Sequence, residues 1–339
     1  MNVSVHSLEQ LEQLCASPQA SEVTSLEVGS FDAPLPPEIE RMRSLRSLSL
    51  QRCGARLPDE LSELTNLRAL HIVEGAQIEL PHGLGQCPLR WLVVSDTPIR
   101  HLPTGLSGLE VLSLPGCKEL RALPDDRYPH LEYLDLSHTA LTDMRLLAKT
   151  PALKTLSLNG LTVSHWPASG EVPATLRDLV SRDCHFQVPI ELPKTLERWL
   201  GEGVTTSTVV VQSPSLRADL RRTVGVTAPR AQWLDLAASV GVHRLAGLEH
   251  TETLRVDGCH DLVTIERAPR LRRLSAQSCG ALTQLLGLPA LEELDLRHSE
   301  EVDAATLGAL PSLRNLKLTA SQASALRGQL PPHVHIDVA

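Results

Sequence analysis

The chain has 339 residues, of which 42% are hydrophobic but only 2% are aromatic, and its formal net charge is −8. An acidic chain with a pI near 6.0 has no basic footprint spread over its surface, so we expect no nucleic-acid partner. Because aromatic residues are so scarce, leucine must supply most of the core, at roughly 1.5–3 kcal/mol for each buried side chain.

The cysteines and the first residues of the chain bear on its cellular location. Seven cysteines scattered along the sequence do not form a secreted disulfide scaffold, which favours a reducing compartment. Residues 1–17 have neither a basic segment nor a long apolar run, so they are no Sec-type signal peptide. No apolar stretch reaches the roughly 18 residues of a membrane span. We expect a cytoplasmic location in the producing cell, compatible with secretion into a host cell by another route.

The first predicted element is a short helix. Ser7, followed three residues later by Gln10, forms a capping-box pattern, and Leu8 and Leu11 would share one helical face. We therefore predict that residues 1–20 form an N-terminal helical cap over the first repeat. The alternative is a frayed terminus.

A leucine pattern then recurs every 20 to 23 residues or so. The first series of units begins at Val23, Leu45, Leu67, Leu89, Leu109, Leu131, Leu153 and Leu176, and the second at Ala231, Thr251, Leu271, Leu291 and Leu313. The units resemble the pattern LxxLxLxxN/C followed by a variable half, which is that of the leucine-rich-repeat family, and the resemblance covers about nine tenths of the chain.

The resemblance implies an α/β repeat solenoid, a leucine-rich-repeat horseshoe with parallel strands on its concave face. Leu-Pro pairs such as Leu57-Pro58 and Leu80-Pro81 predict short irregular or 3₁₀ segments on the convex side, because proline lacks an amide donor. The residue eight places after each unit start is expected to form a ladder in the turn after the strand. It is a cysteine at five places: Cys53, Cys117, Cys184, Cys259 and Cys279.

The spacing of the leucine pattern is irregular between the two series. We predict a first array over residues 21–200, an irregular insert over 201–230, a second array over 231–325, and a C-terminal cap with a closing strand over 326–339. The segment SPSLRADLRRTVG predicts a short basic helix, capped at Ser213 or Ser215, with Arg217 and Arg221 on one face. These parts would form one continuous solenoid domain. The alternative is a linker that separates two arrays.

The candidate binding residues are those that strand alternation places on the concave face or at its loop edge. Exposed Trp and Tyr side chains are typical interface anchors, since they bury a large area at little cost in rotamer entropy. The predicted partner-binding residues are Trp91, Val93, Val111, Tyr133, Asp135, His71, His138, Asp96, Arg182, Trp233, Asp235 and Arg255.

Three patterns resemble catalytic or metal sites. Cys259-His260-Asp261 is similar to the CxD motif of bacterial ubiquitin ligases with leucine-rich repeats, but Cys259 also occupies the ladder position. Asp135, Ser137 and His138 contain the residue types of a triad but are too close in sequence to assemble one. His333 and His335 would share a strand face and could hold a metal with two further ligands, but two histidines alone are weak evidence for a metal site. We predict no enzyme activity, cofactor or metal.

The resemblance implies a protein-binding module. Short units with LPxxL segments are similar to the repeat regions of effectors that bacteria inject into host cells by type III secretion during virulence. The predicted partner is therefore a protein, of host origin in that case, and the chain is expected to be a monomer. Two alternatives remain: the substrate-recognition part of a ubiquitin ligase that lacks its catalytic domain, and a cytoplasmic bacterial adaptor or immunity protein.

Overall fold

The computed structural model describes residues 1–29, 33–52, 57–75, 79–168, 170–206, 209–211, 216–222 and 231–338. The chain divides into two compact units, Met1–Leu176 and Arg177–Ala339. None of the helices in the described ranges is long and apolar enough to cross a membrane.

Unit 1 is built on a parallel sheet. Its strands are β1 Asn2–Val5, β2 Ser25–Val28, β3 Ser47–Gln51, β4 Ala69–Val73, β5 Trp91–Ser95, β6 Val111–Ser113, β7 Tyr133–Asp135, β8 Thr155–Ser157 and β9 Thr162–Val163. Strands β1 to β8 pair in sequence order, and every pair is parallel. Strand β1 precedes the predicted helix and was not predicted from the sequence.

The register of this sheet follows from the leucine pattern. Leu48, Leu70 and Leu92 are cross-strand partners and have no exposed surface. Leu50 and Ile72, which stand two residues after Leu48 and Leu70, are also cross-strand partners and are equally buried. Because strand side chains alternate, burial of these positions directs the residues between them to the opposite face of the sheet. The predicted parallel sheet is confirmed.

The N-terminal helix α1, Leu8–Ala16, begins after the predicted N-cap Ser7, but the Gln10 side chain bonds to the His6 amide rather than to the Ser7 amide of a capping box. The Ser7 hydroxyl accepts a hydrogen bond from the Gln10 amide at 3.2 Å, and the Gln10 side-chain oxygen accepts one from the His6 amide at 2.9 Å. The first bond satisfies an amide of the first turn that has no partner within the helix, and the second fixes the residue before the N-cap. Leu11 and Cys15 form the buried face of the helix.

The variable halves of unit 1 are short 3₁₀ helices or irregular segments, as predicted. The 3₁₀ helices are Pro18–Glu22, Pro37–Arg41, Asp59–Glu63, His82–Gln86 and Arg145–Lys149. Two of them directly follow the pairs Leu57-Pro58 and Leu80-Pro81. The proline stands at the helix N-cap, where its missing amide removes no helical hydrogen bond.

Unit 2 repeats the same construction. Its strands are β10 Asp178–Val180, β11 His185–Phe186, β12 Ile190–Leu192, β13 Arg198–Leu200, β14 Thr205–Thr206, β15 Val209–Val211, β16 Leu216–Asp219, β17 Ala231–Asp235, β18 Arg244–Leu245, β19 Thr253–Arg255, β20 Thr264–Glu266, β21 Arg273–Ser275, β22 Gln284–Leu286, β23 Glu293–Asp295, β24 Asn315–Leu318 and β25 His335–Val338. The main sheet joins β10, β13, β16, β17, β19, β21, β23, β24 and β25 by parallel pairing. Shorter strands pair as β11–β14, β12–β15 and β18–β20–β22.

The predicted basic helix is wrong where the structure describes it. Leu216–Asp219 is strand β16, which pairs with β13 on one side and β17 on the other. The Arg217 amide donates to the carbonyl of Glu197 at 2.8 Å, so sheet pairing supplies the partners that a helix would have supplied internally. The predicted caps Ser213 and Ser215 lie outside the described residues.

The C-terminal part of unit 2 contains helices α2, Ala304–Gly308, and α3, Ala320–Ala325, which precede the predicted closing strand β25. Thr319 and Gln322 form a capping box at the start of α3. The Gln322 side-chain amide also donates to the carbonyls of Leu296 and Ser299, at 2.8 and 3.0 Å. Helix α3 is thereby attached to the preceding repeat.

The turn ladder is confirmed by hydrogen bonds to backbone carbonyls of the preceding repeat. The thiol of Cys117 donates to Val94 at 3.3 Å, and the thiol of Cys259 donates to Leu236 at 3.0 Å. Cys279 and Ser299 form the equivalent bonds. The ladder prediction for Phe31 and Cys53 lies outside the described residues.

Candidate functional site

The predicted aromatic residues of unit 1 lie together on the exposed face of its sheet. Trp91, Val111 and Tyr133 are cross-strand partners on β5, β6 and β7, and Val93 lies beside them on β5. We call these four residues the apolar patch. Trp91 is 38% exposed and Tyr133 is 36% exposed, and with strands about 4.8 Å apart their backbones are separated by roughly 10 Å. Burial, assisted by nearby Asp135, raises the pKa of the Tyr133 phenol.

Three other predicted residues lie on the neighbouring strand or in the turns that follow the strands of the apolar patch. His71 is the cross-strand partner of Val93 and is exposed. Asp96 and His138 are exposed in the turns that follow β5 and β7. All three offer polar groups beside an apolar centre, which is the usual arrangement of a protein-binding surface.

Asp96 and His138 occupy a backbone position that sequence reasoning did not identify. Both have a left-handed conformation, with φ of 50° and 56°, and their amides donate to the carbonyls of Pro115 and Asn159 in the next repeat. Gly160, the next such residue after His138, has φ of +69°, and a Cβ on it would lie only 2.5 Å from the His138 ring. The absence of a side chain at Gly160 therefore leaves the space that the His138 ring occupies.

The Asp135 carboxylate has a structural partner. Asp135, Ser137 and His138, whose residue types are those of a triad, do not form a catalytic arrangement. The Asp135 carboxylate accepts a hydrogen bond from the Ser137 amide at 2.9 Å, which holds the turn after β7. The Ser137 hydroxyl is buried and bonds to the hydroxyl of Ser157 at 2.9 Å rather than to His138. A serine nucleophile requires an adjacent general base, which this contact does not provide.

In unit 2, Trp233 and Arg255 line a groove on the exposed sheet face with a volume of about 480 Å³. Arg255 is ion-paired, through Nε with Asp257 at 2.6 Å and through Nη1 with Asp235 at 3.5 Å. Asp235 is only 3% exposed and accepts the Ala237 amide at 2.9 Å, and burial raises the pKa of its carboxyl. Asp235 therefore stabilises the turn and offers almost no surface to a partner.

The remaining predicted residue, Arg182, is exposed in the turn after β10. Sequence reasoning missed several charged residues that line the groove of unit 2. They are Arg273, Glu293, His335 and Asp337. Counted from the first residue of each repeat, all four stand at the third or fifth position, as Trp233 and Arg255 do, so the strand alternation that identified those two residues was sufficient to find them.

The CxD cysteine is a buried ladder residue. Cys259 has no exposed surface, and burial raises the pKa of its thiol to about 12. Because the thiolate is the nucleophilic form, this thiol is poorly suited to forming a thioester. Its hydrogen bond to Leu236 accounts for it as part of the turn ladder.

The predicted pair of histidines does not share a strand. His335 begins β25, whereas His333 lies in the turn before it. Within the described ranges, no group of three or more His, Cys, Asp or Glu side chains is arranged to hold a metal ion.

Comparison with solved structures identifies the fold. The chain is similar to a leucine-rich-repeat protein of Leptospira interrogans, with a TM-score of 0.61 and 19% identity, over 99% of this chain and 89% of that one. It is also similar to an internalin, InlF, of Listeria monocytogenes, with a TM-score of 0.54 and 17% identity, over 98% and 94% of the two chains. No protein-family model matches the sequence, and no curated protein matches it. The leucine-rich-repeat fold predicted from the sequence is confirmed.

Proposed function

We propose that this leucine-rich-repeat protein binds another protein through the apolar patch of unit 1, without catalysing a reaction. One observation carries the proposal: Trp91 and Tyr133 are among the few exposed large hydrophobic residues, and they stand two strands apart on one sheet face. Nothing in the fold of the sheet requires aromatic side chains at these positions, since Ala69 and Thr155 occupy the third position of the flanking strands. Aromatic anchors flanked by polar groups are typical of interface hot spots.

The source of the partner is the finer part of the proposal. The LPxxL units resemble those of injected bacterial effectors, so we favour a host protein as the partner. A bacterial partner would instead indicate a cytoplasmic adaptor or an immunity protein. The ligase alternative receives no support from Cys259, whose thiol is buried and protonated at neutral pH.

The test is affinity capture from host and bacterial lysates with Trp91→Ala/Tyr133→Ala beside the wild type. Removal of two aromatic anchors is expected to lower the recovery of the true partner at least tenfold, since each hot-spot side chain contributes about 2 kcal/mol or more. The lysate that supplies the partner separates the effector from the adaptor.

The matched control is Val263→Ala/Leu286→Ala, which removes exposed apolar surface outside the apolar patch, from the residue before β20 and from the last residue of β22. Val263 is 40% exposed and Leu286 is 48% exposed. We expect this control to retain the partner. Equal recovery by the wild type and by folded Trp91→Ala/Tyr133→Ala would contradict the proposal.

A further inference from the structure

A row of three arginines lies at the edge of the unit 1 sheet where its strands begin. Arg46, Arg68 and Arg90 immediately precede the third positions of consecutive repeats, and Arg90 is next to Trp91 in sequence. Backbone hydrogen bonds of 2.8 Å join Arg68 to Arg46 and Arg90 to Arg68. The row therefore spans roughly 10 Å, about 4.8 Å from one arginine to the next.

These arginines are only partly neutralised. Arg90 forms an ion pair with Glu110 at 3.0 Å. Arg68 donates instead to the backbone carbonyls of Thr65 and Leu67, at 3.3 and 3.5 Å. Arg46 is exposed and forms no ion pair with any residue that the structure describes. Like charges on neighbouring strands repel each other, so this edge is less stable than one with alternating signs.

The same position elsewhere in the chain is more mixed in sign, and its two neighbouring glutamates, Glu110 and Glu132, each pair with a basic residue. It continues in unit 1 with Glu132 and Lys154, which form an ion pair at 2.8 Å. In unit 2 it alternates in sign over four consecutive repeats, through Glu252, Arg272, Glu292 and Arg314. Arginines at the same position of three consecutive repeats therefore depart from the charge pattern of the other repeats.

Two members of the row, Arg68 and Arg90, line a concavity at the edge of the sheet where β5 begins. Arg68, Arg90, Glu110 and His130 are among its lining residues, and its volume is about 340 Å³. The guanidinium groups at its wall are suited to bidentate binding of a carboxylate.

We infer that the partner of the apolar patch presents an acidic segment, with carboxylates bound by Arg46 and Arg68 while apolar side chains contact Trp91 and Tyr133. This inference rests on the proposed function. A nucleic acid fits the surface less well, because the row is short and is followed at the same edge by Glu110 and Glu132. A continuous phosphate backbone would meet those carboxylates.

The test is selection of a displayed library of random 12-residue peptides on the full chain. We expect peptides that combine aromatic or aliphatic residues with at least two acidic residues. The best peptide is then synthesised, and its Kd is measured by fluorescence anisotropy in low and high salt. Arg46→Gln/Arg68→Gln is expected to weaken binding about 2- to 30-fold, since exposed charge pairs contribute modestly, and to reduce the salt dependence.

Arg272→Gln/Arg314→Gln is the matched control, since it removes the same charge from the same repeat position in unit 2. It is expected to leave the Kd of the peptide unchanged. Thermal melts of all variants verify folding. A 12-nucleotide oligo(dT) is the competing probe.

The outcomes separate the two proposals. Selected peptides that depend on Trp91 and Tyr133 but show no acidic excess, or bind Arg46→Gln/Arg68→Gln equally well, would overturn this inference and leave the proposed function intact. Tighter binding of the oligonucleotide through the arginine row would also overturn it. Failure to select any peptide that depends on Trp91 and Tyr133 would count against both.

Discussion

The thiols of the turn ladder are held in their protonated form. Cys259 and Cys279 are buried and donate hydrogen bonds to backbone carbonyls. Burial raises the pKa of these thiols to about 12 and about 11, from an ordinary value of 9.0. The folded state therefore binds protons more tightly than the unfolded state. The stability linked to these protons is fully present below pH 9 and is lost as pH rises toward 11 and 12.

Replacing a ladder thiol by a hydroxyl should reduce this alkaline sensitivity. Cys259→Ser keeps a donor for the Leu236 carbonyl, so we expect a loss of only ~1 kcal/mol in the free energy of unfolding at pH 7. The decrease in that free energy between pH 8 and pH 10.5 should be smaller than in the wild type. Urea denaturation at both pH values measures it. An identical decrease in both proteins would show that the Cys259 thiol does not contribute.

In strand β16, pairing with neighbouring strands determines the backbone conformation, although the local sequence predicts a helix. The segment around Arg217 has serines and arginines at helix-like spacing, and these local features predicted a helix. In the structure, β13 and β17 supply partners for the same backbone. The leucine spacing, by contrast, predicted the strands β3 to β8 correctly, because the same buried positions recur in every repeat.

A proline substitution distinguishes the strand from the predicted helix. Arg217→Pro removes the amide that donates to Glu197, and we expect it to destabilise the protein by about 3 kcal/mol. Near the start of a helix capped at Ser215, the same proline would be tolerated. Arg217→Ala is the control, because it removes the charge but keeps the amide, and it should cost under ~0.5 kcal/mol. Urea unfolding of the two variants gives the comparison, and equal stabilities would contradict the strand.

For the whole molecule, repeat position predicted which side chains are exposed. Trp91 and Tyr133 at third positions are exposed, whereas Trp199 at a fourth position is buried and donates to Ser181 at 2.9 Å. The pattern could not predict the burial of Asp235, since that depends on a turn whose Ala237 amide points back at the carboxylate. The ion pairs between neighbouring repeats could not be predicted either, because they depend on side-chain conformations.

The two units present different chemistry on their exposed sheet faces. Unit 1 has the apolar patch beside an arginine row, whereas the groove of unit 2 is lined mainly by charged and polar residues. Apolar surface releases water when it is covered, while paired surface charges gain little from a partner. Under the proposed function, unit 1 would therefore contribute most of the binding energy.

Site-specific photo-crosslinking tests this assignment most directly. A photoreactive phenylalanine derivative replaces Val111 at the centre of the apolar patch, or Leu286 as the exposed control. After irradiation with the captured partner, mass spectrometry identifies the adducts. We predict a partner adduct from position 111 and none from position 286. An adduct from position 286 alone, or none from position 111 while the partner stays bound, would contradict binding through the apolar patch.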